Sequence, residues 1–320
     1  MGAKKRFTGD SRRMALVALS CVLAMSVGGC SSRPGGGGEN EERTPAGVAS
    51  DDLHLPIETY LFSNAEMARL EEAKFVLIGE CLRRLKLDHT LAAPGTAPGP
   101  RSLTERRYGI TDGREAKADG YRLSAVGAER PRSLAAQMKS LAAPQRAQLM
   151  AALQGEAASG ADQGAVHKGG LRMNGVQVPA GGCAGEATEA ISGGSGQLGP
   201  SQVARSANFS SFDDSRSDPR VGRVLGAWSA CMKDKGYAYP DPLTAMSDPG
   251  FRGTSPTPKE LGTAQADVEC KQKTDLVEIW FGVEAALQKD MIAQKGRDFE
   301  AALTSKKSQM RRAESALESR

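Results

Sequence analysis

The chain has 320 residues, of which 5% are aromatic, 25% charged and 37 glycine, with a formal net charge of +4. Lys4, Lys5, Arg6, Arg12 and Arg13 stand against Asp10 in the first 29 residues, and the remainder balances at 37 basic and 37 acidic side chains. A neutral remainder lacks the positive field that drives nucleic-acid binding, so no nucleic-acid partner is expected, and so few aromatics require a core of Leu, Val and Ala.

The five basic residues precede an apolar run, residues 14–27, that carries no charge and ends in Val27-Gly28-Gly29-Cys30. The run is shorter than the ~20 residues that span a bilayer and suits the apolar region of a signal peptide. An aliphatic residue three places before a cysteine, with small residues between, resembles the lipobox of bacterial lipoproteins. That resemblance implies cleavage after residue 29, lipidation of Cys30 with palmitate among the acyl groups, and tethering to the outer face of the cell membrane. Stable anchoring needs two hydrophobic signals, which a diacylglycerol supplies. Ser11-Arg12-Arg13 also looks like a twin-arginine export signal, and Cys21 leaves with the signal peptide. Residues 30–52, rich in Gly, Ser and Glu, have nothing to bury and read as a flexible tether spanning on the order of 25 Å.

Residues 53–200 are expected to form a first helical lobe. Ser63 with Glu66 is a capping box opening a helix to about Leu87, with Met67, Leu70, Leu77, Cys81 and Leu85 on its inner face and Lys74 snorkelling. Residues 92–100 are too rich in Pro and Gly for a regular element. Asp112 with Glu115 caps a short helix that Gly120 stops. The spacing predicts a further helix over residues 144–153, ending at Gly155. Asn174-Gly175 between alternating apolar residues signals a two-residue β-hairpin. Cys183 opens a helix to about Ile191. Residues 201–217 close a Gly/Ser-rich stretch and read as a linker with one helical piece.

A second lobe is expected over residues 218–320. Asp218 caps a helix with Pro219 in its first turn and Gly236 as its stop, placing Trp228 and Cys231 on one face, with Trp228 a core anchor. Five prolines between residues 240 and 258 mark a long loop. Thr257-Pro258-Lys259-Glu260 starts another helix, with Leu261, Ala264, Val268 and Lys271 along one side. Ile279, Val283, Leu287 and Met291 trace the next, and Phe299, Leu303, Met310 and Leu317 give a tail helix with a packing seam, onto the body or onto a second copy.

Setting aside Cys21 and Cys30 leaves Cys81, Cys183, Cys231 and Cys270. An even number in an exported chain argues for disulfides, and four cysteines allow three connectivities. Pairing Cys81 with Cys183 and Cys231 with Cys270 keeps each bond within one lobe. The cysteines lack metal-ligand spacing, so no metal is expected. The fold class is then mainly α with one small β-hairpin, as two disulfide-stapled helical lobes behind a flexible lipid-anchored tether.

The segments Glu80-Cys81-Leu82, Arg107-Tyr108-Gly109-Ile110, residues 181–187, Trp228-Ser229-Ala230-Cys231-Met232 and residues 266–271 together resemble a group of exported actinobacterial lipoproteins without an assigned activity. The resemblance implies the same cysteine framework and a surface location.

No nucleophile, P-loop, dinucleotide or zinc-protease motif is present in the sequence. His54, His89 and His167 lie far apart in polar settings and read as solvated. Asp213, Asp214 and Asp241 could supply carboxylates but suit a solvated loop. No cofactor and no catalytic residue is expected. The sequence favours a non-enzymatic binding or structural module of the cell envelope, with an envelope protein or cell-wall component as partner. A wall-directed hydrolase whose carboxylates meet only in the fold is the alternative.

Overall fold

The computed structural model describes residues 53–88, 91, 100–123, 134–155 and 170–319. The signal peptide, Cys21, Cys30, the tether, His89, residues 92–99 and His167 lie outside the described residues.

Local capping chemistry starts most of the helices. A 3₁₀ turn at Pro56–Tyr60 leads to α1 (Asn64–Arg84), where the Ser63 hydroxyl accepts from the Glu66 amide and Glu66 answers the Ser63 amide. Asp112 accepts from two amides of α2 (Gly113–Asp119), which ends at Gly120 with φ 64°. The helices α3 (Leu134–Lys139) and α4 (Ala143–Gln154) follow. In the hairpin β1 (Arg172–Met173) and β2 (Val176–Gln177), Arg172 pairs with Gln177 and Met173 with Val176. Asn174 and Gly175 make its turn with φ 49° and 82°, the left-handed values a tight hairpin needs. Next comes α5 (Gly182–Ser192), closed by left-handed Gly193.

Residues 201–217 differ from the linker expected. They form α6 (Gln202–Arg216), capped by Ser201 and packed along the later helix α10 (Leu276–Gln294). Its buried positions are Ala204, Ala207, Ser211 and Ser215, so a helical stripe exists but is built from small residues instead of large apolar ones. Then α7 (Pro219–Asp234) starts at Asp218 as the sequence indicates. The proline-rich loop carries α8 (Pro242–Met246), capped by Asp241, and a 3₁₀ turn at Pro249–Phe251. Asp275, in the left-handed region at φ 51°, separates α9 (Pro258–Thr274) from α10, and α11 (Gly296–Glu318) completes the chain. Among the described residues no helix is long and apolar enough to cross a membrane.

The disulfides are Cys81–Cys183 and Cys231–Cys270, with Cα–Cα distances of 5.5 and 5.7 Å. Each sits in its own apolar core. Cys81, Cys183, Leu82, Leu149, Leu153 and Val178 pack together where α1, α4, α5 and the hairpin meet. Cys231, Cys270, Trp228, Trp280 and Val283 form the other, but Tyr108, Ile110 and Tyr121 from the first half of the sequence belong to it as well. The tail helix α11 packs on α1 and α5, burying Ala313 with Leu70, Ala73 and Ile191, while Phe299 joins Leu55, Ile57, Ala204 and Ala285. The two halves of the chain therefore share their interior.

Candidate functional site

Charged side chains are costly to bury unless paired and hydrogen-bonded, so those that fold inward mark where a site could be. Among the described residues, two such networks are built around fully buried carboxylates.

The first centres on Glu284, fully buried on α10. The Arg107 Nε donates to both its carboxylate oxygens at 2.9 Å, the Tyr108 hydroxyl at 2.8 Å, and Ser211 and the Gln288 amide each at 3.1 Å. Gln288 also accepts from the Ile57 amide at 3.0 Å, and the Arg107 guanidinium lies 4.9 Å over the Phe212 ring. Burial first, and the Glu284 charge second, push the Tyr108 hydroxyl far above its ordinary range, so it stays a donor.

The second joins α7 to α9. The buried Asp267 carboxylate accepts from Trp228 Nε1 at 2.9 Å and from Lys271 Nζ at 2.8 Å, and Lys271 also donates to the Ile110 carbonyl at 2.8 Å. Burial pushes Asp267 up and Lys271 down, each opposed by the charge of the other. Close by, the buried Tyr121 hydroxyl faces Asp267 without closing a hydrogen bond, and its ionisation is pushed far up by burial. Glu260, placed by the sequence at a helix start, turns its carboxylate inward to accept from Arg122 at 3.1 Å.

A buried amine beside a carboxylate is a chemical possibility for proton transfer or imine formation. Access decides against it. The Lys271 side chain is 2% exposed, and the cavity beside it, lined by Thr111, Val268, Gln272 and Asp275, has a volume of about 50 Å³. That is room for a water or two, not for a substrate. Both networks bind loops to helices.

An open groove lies between α1, α5 and α11, with a volume of about 530 Å³. Leu77, Ala190, Ile191 and Ala316 supply its apolar lining, and Ser308, Arg311, Arg312 and Ser315 its polar lining.

The residues singled out in the sequence do not converge. His54 is exposed and pairs with Glu58 at 3.1 Å. Asp213 and Asp214 are exposed on α6, correcting the loop expected there, and Asp241 caps α8. Cys81, Cys183, Cys231 and Cys270 are spent in disulfides. No group of three or more His, Cys, Asp or Glu side chains able to hold a metal occurs among the described residues. The inward charges were missed because a charged side chain by itself reads as a solvated position, even Glu284, which stands between Val283 and Ala285 in the apolar α10. One signal existed: Asp267 and Lys271 are four apart on a stripe shared with Ala264 and Val268. No known protein family, curated protein or solved structure matches the chain.

Proposed function

We propose that this protein is an exported lipoprotein, anchored by acyl chains on Cys30 to the outer face of the cell membrane, and that it serves there as a non-enzymatic binding or structural module of the cell envelope. The observation that carries the reading is the order of the first 30 residues: a basic start, an uncharged apolar run, then Val27-Gly28-Gly29-Cys30. Two disulfides between buried cysteines agree with it, since such bonds form and persist in oxidising compartments. A structural role is supported by how the buried carboxylates are used. Glu105, Glu260, Asp267 and Glu284 each bind a cation of this chain, namely Arg101, Arg122, Lys271 and Arg107.

Metabolic labelling with an alkyne-bearing palmitate tests the anchor. The full chain is expected to incorporate label and to stay with membranes, and Cys30→Ser is expected to lose the label. A mature chain whose amino terminus lies elsewhere, or label that survives Cys30→Ser, would refute it. Capture from solubilised membranes tests the binding role, and a reproducible hydrolytic activity in the absence of any captured partner would end that part of the reading.

A further inference from the structure

Asn174-Gly175, the turn of the hairpin, is the sole Asn-Gly pair of the chain and carries chemistry as well as shape. The backbone nitrogen that follows an asparagine can attack the side-chain carbonyl carbon, and glycine hinders that attack least because it has no Cβ. Both residues are exposed, and nothing lies within 4 Å of where a Cβ on Gly175 would be, so solvent reaches the reacting atoms.

The carboxamide is restrained by its own bonding. Asn174 Nδ2 donates to the Leu85 carbonyl at 2.8 Å and to the Lys86 carbonyl at 3.2 Å. Two acceptors fix which end of the amide faces them. Both carbonyls lie just past the end of α1, where partial negative charge gathers and acceptors lack helical partners. The asparagine thus fastens the hairpin to α1. Behind the hairpin, Met173, Val176 and Val178 pack onto the core around Cys81 and Cys183.

We propose that Asn174-Gly175 is a deamidation site gated by this clamp, and that its conversion to aspartate or isoaspartate unfastens the hairpin from α1. The Gly175 nitrogen gives its proton to base and bonds Asn174 Cγ; the Cγ–Nδ2 bond breaks, and ammonia leaves with a proton returned by water. Water then opens the succinimide at either carbonyl. A carboxylate accepts but cannot donate, so the product sets a negative charge against the two carbonyls that the amide satisfied. Isoaspartate also adds a methylene to the backbone of the turn. Lys86 and Arg172 are exposed, and exposed ion pairs contribute too little to offset that loss. The inference does not depend on the membrane anchor.

The full chain, folded or unfolded in urea with its disulfides reduced, is incubated in mildly alkaline buffer, and conversion at Asn174 is followed by peptide mass spectrometry. Conversion is expected in both, about tenfold or more slower in the folded chain, because two hydrogen bonds must open first. The converted folded chain is expected to show faster amide exchange at residues 171–178 and at Leu85-Lys86-Leu87, with α9 and α10 unchanged. Asn174→Asp is expected to reproduce this, and Asn174→Gly, which drops the clamp without adding charge, to show a smaller acceleration. Unchanged exchange in α9 and α10 shows that each variant keeps its fold. Equal rates in the folded and unfolded chains, or no conversion in the folded one, would overturn the proposal. So would exchange in Asn174→Asp that matches the parent chain, that does not exceed that of Asn174→Gly, or that rises equally in α9 and α10.

Discussion

Gly109 shows how one atom can decide the interior. Its φ is 84°, and a Cβ there would lie 2.6 Å from Lys271 Nζ and 3.2 Å from Pro242 Cβ. Gly109→Ala would force a strained backbone and displace the buried amine from Asp267 and the Ile110 carbonyl. Urea denaturation is expected to show a loss of at least about 2 kcal/mol, and an unchanged midpoint would show that the loop moves freely. Asp218 makes a different kind of prediction. Its side chain bonds the Arg220 guanidinium and the Arg220 amide, and together these hold its carboxyl down at about 2 from an ordinary 3.8. A depressed folded value means stability that is present above pH 3.8 and lost as pH falls toward 2. The start of α7 is therefore expected to loosen in that window, seen as faster amide exchange at its first turn. Asp218→Asn should remove the acid dependence.

At the scale of elements, the helix ends were legible and the helix faces only partly so. Ser63, Asp112, Asp218 and Thr257 each bond amides two or three residues ahead, so the chemistry lies within one short window of sequence. The hairpin was legible for the same reason. What α6 buries was not, because Ala204, Ala207, Ser211 and Ser215 give no strong apolar contrast. Their smallness lets α6 approach α10 closely, where Ser215 accepts from Trp280 Nε1 at 2.8 Å. The face of α11 was legible as a seam, but not its partner. Gln309 on that face accepts from the Gly199 amide at 2.8 Å and donates to the Gly199 carbonyl at 3.2 Å. Gln309→Ala would leave both buried backbone groups unpaired, at a cost of about 1–3 kcal/mol per group. Thermal unfolding with matched calorimetric enthalpies measures it, and a loss within experimental scatter would mean that solvent replaces the side chain.

In the whole molecule, each disulfide pins one of two separate apolar cores. Cys231–Cys270 closes a loop of 39 residues and Cys81–Cys183 one of 102. Chain entropy alone assigns them upper values of about 4 and about 5 kcal/mol, a large part of the stability of an ordinary domain. Replacing Cys81 and Cys183 by alanine is expected to speed amide exchange most in α1, α4 and α5, whose cluster the bond pins, and less in α9. Equal acceleration in both cores would show that the molecule opens as one unit.

The even count of cysteines pointed to disulfides, and the mainly helical class, the hairpin and most helix starts were legible because each rests on local bonding, whereas which of three pairings forms was decided by the fold. Tertiary structure alone decided which charges go inside. The Arg107–Glu284 contact joins residues 177 apart, and Ile57 meets Gln288 across 231. A charged side chain looks the same in sequence whether water or an opposite charge solvates it, and only packing brings the second charge close enough to take the place of water.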